Sequence, residues 1–116
     1  MSYNIREIKA YKHYFEEFYM ALPKKIQEKF VYVFRLIQTE LRVSEKFLKH
    51  IEGADGLYEM RVMVGNDIFR VFCCFDKGNL LILFNGFQKK TQKTPKQELA
   101  IAERLMNEYF EEQKNK

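Results

Sequence analysis

The spacing of apolar residues along the chain changes twice, from a helical period to strict alternation and back. Apolar residues from Ile26 to Leu41 recur at three- and four-residue steps, which predicts an amphipathic helix opened by Pro23. Residues 9–22 place Tyr11, Tyr14, Phe15 and Phe18 on one side and predict a shorter helix before it. Residues 3–8 alternate weakly, which predicts an initial strand.

The middle of the chain has the two-residue period of β-strands. Residues 57–64 alternate, residues 68–75 are rich in β-formers, and residues 80–84 are a continuous apolar run typical of a strand buried on both faces. Gly65-Asn66 and residues 76–79 supply turns between them. Three strands joined by such short turns predict an antiparallel meander.

The end of the chain returns to the helical period. Thr94 is placed as an N-cap, Pro95 fits the first helical position and Gln97 completes a capping box, so a helix is predicted over residues 95–112. With two helices before the strands and one after, the pattern predicts an α+β fold. We expect residues 1–116 to form one domain, with the helices packed on a small antiparallel sheet.

Composition narrows the class of protein. Hydrophobic residues make up 47% and charged residues 31% of 116 residues, which is typical of a globular chain. The two cysteines, Cys73 and Cys74, are adjacent, which excludes a disulfide framework and a zinc site of paired cysteines. No apolar run approaches the roughly 20 residues of a membrane span, and the first residues lack the apolar core of a signal peptide. We therefore expect a cytoplasmic protein without a membrane partner, metal or other cofactor.

The positive charge is concentrated in one stretch. Residues 85–97 hold four lysines and no acid, so their charge of +4 equals the net charge of the chain. Such a patch attracts phosphate backbones, acidic proteins or anionic lipid, although short lysine clusters also occur as solvated loops.

Two arginines interrupt the apolar strands of the predicted hairpin. Arg61 and Arg70 fall on adjacent strands, and Glu59 shares the face of Arg61, so all three are predicted to lie together. Guanidinium groups hold phosphate in a bidentate way, and Phe87 offers a ring on which an unstacked base could rest. The alternative is a structural salt bridge between Glu59 and one arginine, worth up to about 1 kcal/mol.

Three segments of the sequence resemble one family. They are GLYEMRV at residues 56–62, IFRVF at 68–72 and LFNGFQKKTQKTP at 83–95, followed by a helix with Glu98, Ala100 and Ala102. In order and spacing they resemble the HigB-like, phage-derived branch of the RelE/ParE superfamily, the toxins of type II toxin–antitoxin systems. The resemblance spans residues 56–109.

The resemblance implies a RelE-like fold with an N-terminal strand, a helical hairpin, an antiparallel sheet and a C-terminal helix. It also implies a ribosome-dependent endoribonuclease that cleaves mRNA, with the ribosome, mRNA and a cognate antitoxin, often a small helix-turn-helix protein, as partners. The same superfamily includes toxins that poison DNA gyrase by contact. A gyrase-binding toxin and a small basic nucleic-acid-binding module are therefore the alternatives.

Roles for individual residues follow from this hypothesis. We expect Arg61 and Arg70 to grip the scissile phosphate. Either Lys89 or Lys90 would stabilise charge or donate a proton, and Glu59 would orient Arg61 or act as a base. The residues predicted to contact RNA are Phe87, Thr91, Lys93 and Lys96.

Overall fold

A computed structural model describes residues 4–116 and contains a five-stranded sheet with three helices. In chain order the elements are β1 (Glu7–Ala10), α1 (Tyr14–Met20), α2 (Lys24–Thr39), β2 (Leu48–His50), β3 (Tyr58–Val64), β4 (Asp67–Asp76), β5 (Leu80–Lys89) and α3 (Lys96–Lys114). The sheet order is β1-β5-β4-β3-β2. The predicted α+β class is confirmed, but the sheet is mixed, because β1 pairs parallel with β5.

The sheet separates two apolar cores, which is why its central strands are buried on both faces. Helix α2 buries Phe30, Val33 and Ile37 completely against one face. Helix α3 buries Ala102 and Leu105 against the other. Strand β4 alternates between them, so that its successive side chains contribute to opposite cores. None of the helices within residues 4–116 is long and apolar enough to cross a membrane.

The predicted N-terminal elements are shifted along the chain. Residues 7–10 form β1, and α1 begins only at Tyr14, so the helix predicted over residues 9–22 is wrong in its first turn. Lys12, with φ of 57°, separates the two elements. The Arg6 guanidinium donates to backbone carbonyls of Ile37 (3.0 Å) and Glu40 (2.7 Å) at the end of α2. The periodicity of the sequence does not predict contacts between residues so far apart in the chain. Tyr3 lies outside the described residues.

Strands β3 and β4 agree with prediction, whereas two details elsewhere do not. Strand β2 was not predicted, because three residues are too few to show alternation. Helix α3 starts at Lys96 with Pro95 at the N-cap position and no side-chain hydrogen bond there, so the predicted capping box of Thr94 and Gln97 is wrong.

Strand β5 is twice as long as predicted, extending through residue 89, and its register shifts within it. Val71 pairs with Gly86 and Cys73 pairs with Leu83, so two steps on β4 are matched by three on β5. This extra residue is a β-bulge, which reverses the alternation of side chains beyond it. As a result, Phe84 and Phe87 both pack in the core beneath α3.

Candidate active site

Glu59, Arg61 and Arg70 form a cross-strand cluster on the α3 side of the sheet. Arg61 and Arg70 are directly opposite each other in the β3–β4 register. Oε1 of Glu59 accepts hydrogen bonds from Nε (3.0 Å) and Nη2 (2.8 Å) of Arg61 and from Nη1 of Arg70. The predicted juxtaposition is therefore present, and so is the salt bridge considered as its alternative, with one carboxylate oxygen holding two guanidinium groups.

Arg70 is an unusually buried cation. Its residue is 8% exposed, and its Nε is buried without a hydrogen-bond partner among residues 4–116. Burial lowers the pKa of Arg70, the charge of Glu59 opposes that shift, and the neighbouring Arg61 adds to it. Burying a donor without a partner costs on the order of 1–3 kcal/mol, so the arrangement is not one that stability favours.

Arg61 is fixed by a loop that sequence reasoning missed. Its Nη1 donates to the carbonyl of Glu45 at 3.3 Å, and its backbone N–H donates to the carbonyl of Phe47 at 2.8 Å. The segment before β2 therefore frames one side of the cluster. The adjacent Lys46 is exposed and lies 5.7 Å from the centre of the Phe47 ring. In the sequence, the basic Lys46 between the predicted helix and strand was the one indication that this loop borders the site.

The structure distinguishes the two candidate lysines. Lys89 ends β5 opposite Ile68, on the face that carries Arg70. Burial and then the charge of Arg70 lower the pKa of Lys89, Glu59 opposes the shift, and Arg61 adds to it, so its ammonium lies within the field of all three groups. Lys90 follows the strand and is exposed. The cluster therefore comprises Glu59, Arg61, Arg70 and Lys89, a set we call the cation cluster.

Phe87 lies under this cluster rather than beside it. It pairs with Arg70 across the strands, is 9% exposed, and packs on Phe72 with ring centres 5.4 Å apart. The contacts of Phe87 are those of a core residue that supports Arg70 from below. Its stacking on a base stays a prediction that this burial does not favour.

The lysine-rich stretch continues from the cluster as an exposed loop. Thr91, Lys93 and Lys96 are exposed, and the hydroxyl of Thr91 donates to the carbonyl of Lys93 at 3.0 Å. Within residues 4–116, none of the four lysines of residues 85–97 forms an ion pair. The loop therefore presents uncompensated positive charge next to the cation cluster.

The two cysteines lie elsewhere in the core. Burial raises the pKa of Cys73 well above its usual value and that of Cys74 to about 12, so neither is a thiolate at neutral pH. Among the described residues, no group of three histidine, cysteine or acidic side chains is placed to hold a metal ion.

Comparisons with known proteins bear on this site. Residues 17–107 match a family model described as Phage derived protein Gp49-like (DUF891), a range that includes the whole cation cluster. Among solved structures, the chain is similar to a chain of the archaeal RelE-RelB complex from Pyrococcus horikoshii OT3. The TM-score is 0.54 and the identity 21%, with 78% of this chain and 99% of that chain covered, so the likeness shows the fold. No curated protein matches the sequence.

Proposed function

The chain belongs to the phage-derived Gp49-like family of RelE-like toxins, and from this membership we propose that it is an endoribonuclease that cleaves mRNA on the translating ribosome. The observation that carries the proposal is the cation cluster. Two guanidinium groups bind a single carboxylate and Lys89 lies on the same face of the sheet, so these four residues carry a net charge of +2. A phosphodiester supplies the missing negative charge, and guanidinium groups match its geometry.

The contacts within the cation cluster support a separate role for each residue. Arg61 and Arg70 hold the scissile phosphate and stabilise the charge that develops on it as the ribose 2′-oxygen attacks phosphorus. Glu59 orients both guanidinium groups, because its Oε1 is already engaged by three of their N–H donors. The 2′-hydroxyl loses its proton to a base, the bond from phosphorus to the 5′-oxygen breaks, and that oxygen takes up a proton.

Lys89 is the group that we assign to proton transfer. Its pKa lies below the usual 10.5 because of burial and the neighbouring Arg70, so it releases a proton more readily than an ordinary lysine. It stands on the arginine-bearing face, where the leaving 5′-oxygen of a bound phosphodiester would lie within reach. The ribosome contributes by holding the mRNA in line, which lowers the barrier through orientation.

The exposed loop would bind the nucleic-acid backbone beyond the scissile bond. Lys90, Thr91, Lys93 and Lys96 are exposed in a stretch without acidic residues, an arrangement suited to phosphate contacts on mRNA or ribosomal RNA. The protein would therefore act in the cytoplasm, where ribosomes translate mRNA.

We also propose an antitoxin partner. The similar archaeal structure is described as a RelE–RelB complex, and the family resemblance implies a small helix-turn-helix antitoxin for this chain. If a small helix-turn-helix protein is encoded beside this chain, its co-expression should abolish toxicity, and the two proteins should co-purify.

Induction of the chain alone tests the function. We expect protein synthesis to stop before DNA synthesis falters, and new mRNA 5′ ends to appear within translated codons. The Arg61→Ala/Arg70→Ala variant should be harmless, whereas Arg104→Ala, an exposed arginine of α3, should be as toxic as the wild type. If DNA synthesis fails first, the gyrase alternative is correct. If a folded, abundant protein leaves growth and mRNA intact, it is a non-toxic binding module.

A further inference from the structure

We propose that the bulge at Phe84-Asn85, together with the adjacent Gly86, is a positioning device that brings Lys89, rather than Lys90, into the cation cluster. The register on the β4–β5 ladder carries the inference. Ile82 and Phe84 share the α3 face, so uninterrupted alternation would turn Gln88 and Lys90 toward that face and Lys89 away from it. The extra residue between Leu83 and Gly86 reverses this order, and Lys89 pairs with Ile68 on the arginine face.

Asn85 fastens the bulge to α3. Its side-chain Nδ2 donates to the backbone carbonyl of Glu98 at 3.0 Å and to the Glu98 carboxylate at 3.4 Å. The residue is 6% exposed, and its Oδ1 is buried without a partner among the described residues. A buried amide that is only partly satisfied costs stability. This cost is explained if the Asn85 side chain holds β5 in the bulged register.

Gly86 makes room for the bulge on the opposite face. A Cβ at this position would lie 2.5 Å from Cδ2 of Phe18 in α1, closer than side chains approach one another. The strand is therefore clamped between the Phe18 ring on one face and the α3 contact of Asn85 on the other. Asn85 and Gly86 lie four and three residues before Lys89, and neither takes part in the contacts of the cation cluster.

The catalytic role of Lys89 rests on the proposed function, whereas the face of the sheet on which Lys89 lies does not. Asn85 and Gly86 are positioning residues: they act on the reaction only through the face that Lys89 occupies. Placement can be measured by NMR on the free protein, so a failure of the positioning inference and a failure of the ribonuclease proposal have different signatures.

The first measurement uses the wild-type chain with lysine side chains isotopically labelled. We expect NOEs between the Lys89 side chain and Ile68, its partner across the strands, and a Lys89 titration midpoint below 10.5, because burial and the charge of Arg70 both lower its pKa. NOEs to Ile68 from Lys90 in place of Lys89 would overturn the proposal without any variant being made.

The second measurement asks whether the clamps set the register. In Asn85→Ala and Gly86→Ala, the Lys89 midpoint should rise toward 10.5 and cleavage should fall about as far as in Lys89→Ala. Adding Phe18→Ala to Gly86→Ala restores room for the methyl group and should return the midpoint toward the wild-type value. Asn107→Ala, at an exposed position of α3, is the matched control. Folded Asn85→Ala and Gly86→Ala variants with an unchanged Lys89 midpoint would refute the role of the bulge.

Discussion

Two groups of charged residues lie on the α3 side of the sheet, and they are built in opposite ways. In the group near the end of α3, Lys12 pairs with Glu108 at 3.4 Å and with Glu112 at 3.9 Å, and all three side chains are at least 36% exposed. Tyr11 donates to Glu112 at 2.7 Å. In the cation cluster, the side chains of Glu59 and Arg70 are only 8% and 10% exposed.

The difference in exposure indicates that the two groups of charges have different roles. The exposed group joins α3 to the segment after β1 with charges that water also solvates, so little is lost if a pair breaks. The cation cluster holds more positive than negative charge, and within residues 4–116 the buried Nε of Arg70 has no hydrogen-bond partner, which lowers the free energy of unfolding. Charges held at such a cost are typical of sites that bind a charged ligand.

The two adjacent lysines, Lys89 and Lys90, should differ most in their effect on cleavage. Lys89→Ala should slow cleavage by about 100-fold or more, the usual contribution of a positioned proton donor. Lys90→Ala should change the rate by less than about threefold, the effect of one solvent-exposed phosphate contact. Single-turnover cleavage of mRNA on programmed ribosomes measures both. Equal losses in the two variants would mean that the lysines act only as diffuse positive charge.

The next effect is on stability. Glu59→Gln removes the carboxylate between two guanidinium groups, and we expect the free energy of unfolding to fall by about 3 kcal/mol, the lower end of the range for buried pairs because Arg61 is partly exposed. Adding Arg70→Met should recover part of the loss, since it removes the uncompensated charge. Chemical denaturation measures both, with Glu108→Gln as the exposed control. An equally small loss in Glu59→Gln and Glu108→Gln would abolish the contrast between the groups.

A smaller effect tests the lysine loop. If Lys93 and Lys96 contact phosphates, the Lys93→Gln/Lys96→Gln variant should reduce the log–log salt slope of RNA or ribosome binding by about one unit per contact. Lys24→Gln/Lys25→Gln, at exposed positions of α2, carries the same change of charge elsewhere. If both double variants reduce the salt slope equally, binding depends on the net charge of the protein and not on contacts made by the loop.

The smallest effect belongs to the exposed group. Lys12→Ala should leave the free energy of unfolding close to that of the wild type, because its ion pairs are solvated, and should leave cleavage unchanged. Lysine and alanine are both strained at the positive φ of position 12, so the substitution does not change the backbone strain there. Thermal melting and the ribosome assay check it. A loss as large as that of Glu59→Gln would show that exposure does not distinguish the two groups.

The sequence was sufficient where local pattern decides the structure. Alternation over residues 57–64 and 68–75 predicts that Glu59, Arg61 and Arg70 share one face of the sheet, as observed, and the α+β class follows from the same change of period. The family assignment from residues 56–109 is confirmed by the match over residues 17–107.

The sequence was insufficient where distant residues decide the outcome. The choice between Lys89 and Lys90 depends on a bulge whose clamps, Phe18 and Glu98, are 68 and 12 residues from Gly86. Strand β1 forms because β5 offers a parallel partner, a contact that weak alternation could not specify. The burial of Phe87 is likewise a consequence of the bulge.

We propose that Arg61 and the buried Arg70 together hold the scissile phosphate, and single-turnover cleavage by Arg70→Ala decides whether they do. Loss of one transition-state contact should slow cleavage about 30- to 1000-fold. Arg70→Lys should recover little of this loss, because an ammonium lacks the planar fork. Thermal melting should show Arg70→Ala folded and near wild-type stability, since Arg61 still pairs Glu59. Wild-type cleavage by a folded Arg70→Ala variant would show that the cation cluster is not the active site.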